Sequence, residues 1–251
     1  MVYLRDLLRE LVLRDMKLRY KRSAIGVAWS LLNPLAQLLV FNLVFSFILP
    51  LKIQNYTVFL FSGLLAWNWF QSSLSAATGS IVENRDLVQQ PGFPAMVLPI
   101  ATITTHFIHY LMALPVLLIF MFIGGIRLHA TIWLLPLVFA VQFLLTLSLA
   151  YPLAALQVVF RDIQYLLGVG LLLGFYLSPV FYDVSLLEQR YQVLLRLNPI
   201  HVLLDAYRSI LIQGQVPANG GLITVLFLSF ILLWLGYSVF RHARYRFAEE
   251  L

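Results

Sequence analysis

Six long windows of this sequence contain no Asp, Glu, Lys or Arg, and they decide what the chain can fold into. An apolar α-helix needs about 20 residues to cross a bilayer core of roughly 30 Å. Each window is long enough, and we predict spans at residues 29–50, 57–79, 98–123, 131–156, 163–182 and 220–241. The predicted fold is therefore an all-α integral membrane protein with six transmembrane helices.

The composition supports the same fold class. Of the 251 residues, 61% are hydrophobic and 11% are charged, and the mean hydropathy is +0.87. An average soluble domain is about 45–50% apolar and about 25% charged. The length suits a single bundle of spans. The sequence contains 0 cysteines, which excludes disulfides, thiolate metal sites and cysteine nucleophiles.

The Lys and Arg residues predict the orientation of the spans. With six spans, both termini and the loops after spans 2 and 4 lie on one side of the membrane. That side carries 12 of the 17 basic residues, namely Arg5, Arg9, Arg14, Lys17, Arg19, Lys21, Arg22, Arg85, Arg161, Arg241, Arg244 and Arg246. Basic residues concentrate in the cytoplasm, so we predict that both termini are cytoplasmic. The net charge of +6 then reflects membrane topology and not nucleic-acid binding.

The N-terminal stretch YLRDLLRELVLRDMKLRYKR is too charged to span a membrane. On a helix, one arc of roughly 100° holds Leu4, Leu7, Leu8, Leu11 and Leu18, with charges over most of the remainder. This pattern predicts an amphipathic helix on the cytoplasmic membrane face. The helix either contacts a partner or serves only as a basic topology anchor.

The sequence lacks the two common devices that drive active transport. No G-x-x-x-x-G-K-[ST] motif occurs, so the chain does not bind ATP through a P-loop. Its acidic residues lie in loops and tails and form no chain of intramembrane carboxylates, which disfavours a proton- or sodium-driven carrier. An active transporter of this kind needs a second chain as its source of energy.

The stretch VENRDLVQQPGFPAMVLP is a short polar interruption between two apolar runs. Its NRDLVQQ part predicts one short helix, with Asn84 as a possible N-cap and Leu87 and Val88 as apolar residues. Pro91, Gly92 and Pro94 end that helix and favour extended backbone after it. Such a helix can dock in a groove of a soluble partner. The alternative is an ordinary cytoplasmic loop.

Several motifs resemble those of one transporter family. The run ENRDLVQQPGFPAMVLPI resembles the cytoplasmic coupling segment of ABC-2 type permeases that export bacterial polysaccharides: Asn-x-x-Leu-[Val/Ile], a spacer, Phe-Pro and an apolar restart. Further blocks are similar to the same family, namely RDMKLRYKRSAIGVAWSLLNPL (14–35), GLLAWNWF (63–70), FRDI (160–163), SPVFY (178–182) and LNPIHVLLDAYRSIL (197–211). The resemblance covers essentially the whole chain. One departure is Ala95, where several relatives carry a basic residue.

The resemblance implies a homodimeric permease in the bacterial inner membrane, joined to two copies of an ATPase subunit that holds ATP and Mg. No cofactor, metal or catalytic residue is expected on this chain. By the same resemblance, residues 1–28 form the interface helix, 29–241 the membrane domain and 242–251 a cytoplasmic tail. Within the coupling helix, 83–94, the implied ATPase-coupling residues are Glu83, Asn84, Asp86, Leu87, Val88, Phe93 and Pro94. The implied substrate is a lipid-linked, O-antigen-like polysaccharide, with membrane lipid around the permease.

Residues 183–219 are too polar for a span and predict one or two short amphipathic helices on the outer face. Asn198 and Pro199 indicate a helix start, and Asp205 and Arg208 are spaced to pair at i,i+3. The resemblance implies that these helices gate the exit of the channel. The alternative is a membrane-surface hairpin without a gating role.

Aromatic and glycine residues within the spans are candidates for a sugar path and for helix packing. A pyranose ring packs its C–H face on aromatic rings, and the channel-lining candidates are Trp67, Trp69, Phe70, Phe175, Tyr176, Phe181 and Tyr182. Interfacial anchoring is the alternative for many aromatics. Gly170 and Gly174 allow close helix packing, either at a dimer axis or within the chain.

His106 and His109 lie one helical turn apart and raise an alternative function. The pair could serve an integral-membrane transferase that acts on lipid-linked sugars, but no acidic residue near them in sequence completes a metal or catalytic site. Polar packing inside the bundle is the simpler interpretation. The sequence thus favours an ATP-dependent permease over a transferase or a secondary carrier.

Overall fold

The computed structural model describes residues 2–20, 28–48, 53–244 and 247–250, and this part of the chain contains helices and turns but no strand. Its α-helices are α1 (Val2–Tyr20), α2 (Ala28–Leu43), α3 (Tyr56–Glu83), α4 (Arg85–Val88), α5 (Val97–Ile123), α6 (Leu135–Val159), α7 (Ile163–Leu177), α8 (Gln189–Arg196), α9 (Pro199–Arg208), α10 (Asn219–Ala243) and α11 (Phe247–Glu250). The prediction of an all-α fold is confirmed. Residues 1 and 21–27 of the predicted interface segment, residues 49–50 of span 1 and residues 245, 246 and 251 of the predicted tail lie outside the described residues.

Helices lie at all six predicted spans. Among the described residues, three helical stretches are long and apolar enough to cross a membrane: Val97–Ile123, Ala130–Val159 and Gly220–Ala243. The second comprises a 3₁₀ turn, Ala130–Leu134, that leads directly into α6. The apolar parts of α2 and α7 are shorter, at Leu31–Ser46 and Ile163–Leu177. The multi-pass character follows from these helices, and the count of six crossings stays a prediction.

Two predicted helix ends were wrong. The span predicted at 163–182 ends as α7 at Leu177, so Phe181 and Tyr182 lie in the turn after the helix. The reason is local, because a proline disfavours helical backbone at the residue before it, here Ser178. The span predicted at 57–79 continues as α3 to Glu83. Glu83 therefore belongs to a long helix and not to the short coupling helix.

The most buried helix is α3, which packs on α2, α5, α6, α7 and α9. Its 28 residues correspond to about 42 Å of helix. On the far side of α6, α10 packs closely at Gly236, where a Cβ atom would lie 2.6 Å from the carbonyl oxygen of Ser148. Small residues permit such close approach between apolar helices.

The two ends of α3 mark the two ends of the bundle. At its first residue, the Tyr56 hydroxyl donates to the carbonyl of Phe181 at 3.0 Å, so the 178–218 connection lies at this Tyr56 end. At its last residue, α3 enters the 84–96 connection, which also contacts α1. We call this second end the Asn84 end. The candidate sites lie at these two ends.

Candidate functional site

The 84–96 connection forms a compact corner at the Asn84 end. Its helix α4 comprises Arg85–Val88, shorter than the predicted NRDLVQQ helix. Asn84 occupies the N-cap position but makes no capping bond with its side chain. Instead its amide donates to the Ser80 carbonyl at 2.9 Å. Gly92 takes a φ of +80°, a conformation that favours glycine, and this turns the chain into Phe93.

The predicted ATPase-coupling residues differ in how much of each side chain is exposed. Glu83 and Asp86 are exposed, Leu87, Val88 and Pro94 are half-buried, and Phe93 is only 9% exposed. Phe93 packs in a core cluster with residues of α1, α5, α6 and α10. Phe93 therefore offers little surface to a partner, and its coupling role stays a prediction. The accessible side chains of the corner are polar, namely Arg85, Asp86, Gln89 and Gln90.

Helix α1 packs against α5 at the Asn84 end. Leu11 and Val12 are buried, and Leu7, Leu8 and Met16 pack against the same cluster. Leu18, which the helical arc placed on the apolar face, is 62% exposed. The packed face is thus rotated from the predicted one. This face packs the helix on the bundle, and its position at the membrane face stays a prediction.

A direct hydrogen bond joins α1 to the 84–96 connection. The Arg14 guanidinium donates to the Asn84 side-chain oxygen at 2.7 Å and to a carboxylate oxygen of Asp15 at 3.0 Å. Both bonds carry a charged donor, which makes them stronger than neutral ones. Sequence analysis identified Arg14 only as part of a motif. Its partner lies 70 residues away, which no local pattern reveals.

A polar cavity of ≈ 430 Å³ lies between α1, α3 and α5. Its lining includes Arg14, Asp15, Glu83, Thr105 and His106. The predicted proximity of the two α5 histidines is confirmed, since the ring centroids of His106 and His109 lie 5.6 Å apart and both residues are 8% exposed. Within the described ranges, no group of three or more His, Asp or Glu side chains is placed to hold a metal ion.

At the Tyr56 end, the connection between α7 and α10 folds into two short helices, α8 and α9, as predicted. The Asn198 side chain caps α9 by accepting from the Ile200 amide at 2.9 Å, and Pro199 is the first residue of the helix. The Asn198 amide also donates to the Ser178 hydroxyl at 3.0 Å. The predicted start of α9 is therefore confirmed, and the same residue ties α9 to the end of α7.

Arg208 does not form the predicted ion pair with Asp205. Asp205 is exposed, Arg208 is 6% exposed, and no carboxylate of the described residues lies within 4.0 Å of Arg208. The guanidinium instead donates to the Val180 carbonyl at 2.8 Å and lies 3.5 Å from the centre of the Phe59 ring. Burial lowers the pKa of Arg208 to about 9, so the group is charged at neutral pH.

The buried arginine needs a glycine beside it. A Cβ atom at Gly63 in α3 would lie 2.8 Å from an Arg208 guanidinium nitrogen and 2.8 Å from the Val180 carbonyl oxygen. Both distances are shorter than real Cβ contacts allow. Gly63 therefore makes room for the contact that connects α3, α9 and the turn after α7. Sequence analysis quoted this glycine in a motif but assigned it no role.

A second buried contact fixes α9 to the bundle. The Tyr207 hydroxyl donates to the Gln142 side-chain oxygen at 2.8 Å, and the Gln142 amide donates to the Ala66 carbonyl at 2.9 Å. Both side chains are almost fully buried. Buried polar groups are costly unless they are hydrogen-bonded. These two hydrogen bonds therefore fix the positions of α3, α6 and α9 relative to one another.

The aromatic candidates form two separate groups. Trp67 contacts Phe70 and Phe175, and from Phe175 the ring contacts continue to Phe181, Phe41 and Tyr176. Tyr182 contacts Phe181 and extends this first group at the Tyr56 end. Trp69 packs instead with Phe107, Tyr110 and Phe139 inside the bundle. The channel-lining role stays a prediction, and Trp69 is set apart from the other candidates by its position.

The first aromatic group joins α2, α3 and α7. Trp67 and Phe70 are buried, Phe175, Phe181 and Tyr182 are partly buried, and Tyr176 is 55% exposed. Most of α7 is exposed, and its large exposed residues are Tyr165, Leu166, Val169, Leu172, Leu173, Tyr176 and Leu177. The two candidate packing glycines of α7 differ. A Cβ atom at Gly174 would lie 3.1 Å from Trp67, whereas one at Gly170 would meet nothing within 4 Å.

The geometry defines a class of protein: an apolar helical bundle with a polar, compact corner at one end and a helical cap at the other. Residues 6–212 match the ABC-2 type transporter family, and the chain belongs to that family. This confirms the resemblance seen in its motifs.

Similar proteins cover nearly the whole chain. It is 35% identical to the O-antigen export system permease protein RfbA of Myxococcus xanthus over 98% of this chain and 96% of that protein. It is 31% identical to a protein of the same description from Klebsiella pneumoniae over 99% and 96% of the two chains. A more distant relative is the polysialic acid transport protein KpsM of Escherichia coli, 23% identical over 92% and 91%. The relatives in this comparison are thus transporter components.

Proposed function

We propose that this chain is the permease subunit of an ATP-driven exporter that moves a lipid-linked, O-antigen-like polysaccharide from the cytoplasm across the bacterial inner membrane. The observation that carries the proposal is its full-length similarity to O-antigen export permeases, at 31–35% identity. The apolar bundle supplies the passage and carries no P-loop. ATP and Mg are therefore held by a separate ATPase subunit.

In this proposal the permease crosses the membrane six times, with both termini in the cytoplasm. The helices at all six predicted positions and the excess of basic residues on one side support that topology. The Asn84 end then faces the cytoplasm, and the Tyr56 end, with α8 and α9, faces the outside.

The ATPase docks on the 84–96 connection and on α1. The exposed polar side chains Arg85, Asp86, Gln89 and Gln90 offer charge and hydrogen bonds to a soluble partner. Below them, the half-buried Leu87 and Val88 and the buried Phe93 connect the surface to the bundle. Closure of the ATPase dimer then moves this corner, and the corner moves the helices attached to it.

Two copies of the permease form the path between them. The exposed apolar side of α7 and the open space at Gly170 support an approach of a second copy along this helix. The first aromatic group, from Trp67 to Tyr182, lies beside that side and offers ring faces to sugar C–H groups. Helices α8 and α9 then gate the outer exit.

Co-purification and transport test the proposal together. Wild-type permease and its cognate ATPase subunit, co-expressed and purified in detergent, are expected to elute as one complex with two copies of each chain. In vesicles, that complex should move lipid-linked glycan only when ATP is present. The double reversal Arg85→Glu and Asp86→Arg should remove the ATPase while the permease still inserts. The matched control reverses the exposed pair Glu188 and Arg190 at the other end.

Two results would overturn the proposal. The first is ATP-independent glycan movement by the permease alone. The second is complete retention of the ATPase by the Arg85 and Asp86 reversal, because the proposed docking surface would then be wrong. Gln90 is exposed at the end assigned to the cytoplasm. If a Gln90→Cys variant were labelled by a thiol reagent from outside intact cells, the topology would be wrong.

A further inference from the structure

Helix α11, which follows α10 in the chain, packs against α6. Sequence analysis treated residues 242–251 as a tail, but Phe247 at the start of α11 is only 1% exposed. Its ring packs edge-on against Phe240, with 5.4 Å between ring centroids and 74° between ring planes. Phe240 in turn contacts Tyr151 of α6 at 5.1 Å. A short polar segment is thus anchored by one aromatic residue.

The anchor lies next to the last residues of the 84–96 connection, where the chain enters α5. We call this part the exit of the coupling corner. Phe247, Phe240 and Phe93 belong to the same buried apolar cluster, together with the first residues of α5. Just before α11, the Arg244 guanidinium lies 3.5 Å from the Phe93 carbonyl oxygen, in the geometry of a long hydrogen bond. Phe93 is therefore linked to the chain just after α10 by this bond and to Phe240 and Phe247 by their shared cluster.

A second set of contacts holds the same exit one turn further along. The Tyr151 hydroxyl of α6 donates to the Met96 carbonyl at 3.3 Å. The Tyr237 hydroxyl of α10 lies 3.6 Å from the Met96 sulfur. The carbonyls of Phe93 and Met96 are thus both bound by side chains from outside the α3–α5 hairpin. Motion of the 84–96 connection can therefore pass to α6 and α10 through these contacts.

One face of α10 is buried along its length, at Leu222, Val225, Ser229, Gly236 and Phe240, and the other face is exposed. Phe227, Phe230 and Trp234 on its earlier turns are 65%, 54% and 71% exposed, whereas Phe240 is 1% exposed. Apolar side chains along the middle of α10 are left for lipid or another chain. Near the end of α10, Tyr237 and Arg244 instead contact the corner, where the ATPase acts in the proposed function.

We propose that residues 240–244 and 247–250 form a clamp that makes the exit of the coupling corner, α6 and α10 move as one body when the ATPase closes. The clamp rests on the proposed function and deepens it, because it names positioning residues, Phe247 and Tyr151, for energy transfer. Without the clamp, α6 and α10 would receive the ATP-driven motion only through the packing of α3 and α5 on α6. Hydrolysis would continue, but less of it would end in export.

The absence of cysteine allows a direct test of this motion. Spin labels on cysteines introduced at the exposed residues Gln90 and Glu250 report the distance between corner and clamp. In the complex with the ATPase, this distance should stay the same between the nucleotide-free and ATP-trapped states. A label pair at Gln90 and Arg190, an exposed residue of α8 at the Tyr56 end, should change its distance, because α8 lies outside the proposed body. Separation of the Gln90–Glu250 pair on ATP trapping would overturn the clamp.

Substitutions test whether the clamp couples hydrolysis to export. Phe247→Ala should lower the glycan exported per ATP hydrolysed by about tenfold, with ATPase binding retained. Phe247→Leu, which keeps an apolar side chain, should restore most of the ratio. The matched control is Phe227→Ala on the exposed face of α10, with an unchanged ratio. An unchanged ratio in Phe247→Ala would overturn the proposal.

Tyr151→Phe provides a second variant in case Phe247→Ala fails to insert. It keeps the ring contact with Phe240 and removes only the hydroxyl that binds the Met96 carbonyl. It should lower the same ratio severalfold, and wild-type coupling in Tyr151→Phe would contradict the Met96 part of the clamp. Failure of the proposed function is distinguishable, because the wild-type permease itself would then bind no ATPase or export no glycan.

Discussion

The guanidinium of Arg208 lies 3.5 Å from the centre of the Phe59 ring and is buried there with no carboxylate partner among the described residues. A buried cation is costly unless nearby groups compensate it. The compensation comes from the ring face and the Val180 carbonyl, while the Arg208 Nε makes no hydrogen bond in this arrangement. The contact thus joins α3, α9 and the turn after α7, the elements that close the Tyr56 end.

Replacing Arg208 with Gln should destabilise this end of the protein. The variant loses a charge-assisted hydrogen bond and a cation–π contact, and we expect the free energy of unfolding to fall by about 2–4 kcal/mol. Arg208→Lys keeps the charge but not the planar fork, and should recover only part of the loss. Thermal unfolding of the purified permease in detergent measures both changes.

Arg190→Gln is the matched control for Arg208. Arg190 also carries a guanidinium between α7 and α10, but its ion pair with Glu188 is exposed, with 70% and 68% of the two side chains accessible. Exposed pairs contribute about 0–1 kcal/mol, so the unfolding temperature should hardly change. Equal effects in the two arginine variants would show that burial of Arg208 has no special role.

Gly63→Ala should reproduce the Arg208 defect from the opposite side of the contact. The added Cβ would lie 2.8 Å from both the Arg208 guanidinium and the Val180 carbonyl, so the three elements must move apart at a cost of about 1–3 kcal/mol. Gly220→Ala is the control, since nothing lies within 4 Å of a Cβ there. Thermal unfolding in detergent should show a loss for the first variant only. Equal stability of both variants would argue against tight packing at Gly63.

The bonds between Tyr207, Gln142 and Ala66 predict strong coupling between two substitutions. Gln142→Leu leaves the buried Tyr207 hydroxyl without its acceptor, and Tyr207→Phe removes that hydroxyl. Each single variant should lose about 1–3 kcal/mol. The double variant should lose less than the sum, because the orphaned hydroxyl is then gone. A double-mutant cycle by chemical denaturation measures this, and strict additivity would mean that the two side chains do not act together.

Short sequence patterns predicted local structure well. They did not predict contacts between residues that are far apart in the chain. Asn198 and Pro199 marked the start of α9 because capping involves only the first turn of a helix. Ser178 and Pro179 carried an equally local stop signal, but the apolar run through Tyr182 outweighed it. The contact between Arg208 and Phe59 joins two residues that are 149 positions apart in the chain. No periodicity of the sequence predicts such a contact.

The same reasoning explains the outcome at the Asn84 end. The turn residues Pro91 and Gly92 correctly indicated a short helix followed by a corner. The resemblance implied Phe93 as an ATPase-coupling residue, and its ring is buried in a cluster with residues from α1, α6 and α10. Phe247 of the same cluster lies in a charged segment, where hydrophobic patterning has too few residues to show a buried face.

Removing the bond between Arg14 and Asn84 should affect coupling more than stability. Arg14→Gln loses the 2.7 Å charge-assisted bond to Asn84, but the side chain is 38% exposed, so the stability cost should be about 1 kcal/mol or less. Export per ATP hydrolysed should fall by about fivefold if α1 and the corner move together. Arg9→Gln, at an exposed position of α1, is the control. A normal ratio in Arg14→Gln would show that this bond transmits no motion.

His201 predicts how acid affects the Tyr56 end. Burial in α9 lowers its pKa below the ordinary 6.5; Asp205 and Asp183 oppose this shift, and Arg208 and Arg196 add to it. As the pH falls through 6.5, the unfolded chain therefore binds a proton that the folded protein does not yet accept, and stability decreases until the folded pKa is reached. Thermal unfolding in detergent between pH 7.5 and 5 should show this loss in the wild type and less of it in His201→Gln. An identical pH dependence in both proteins would mean that His201 titrates in the folded state as it does in the unfolded chain.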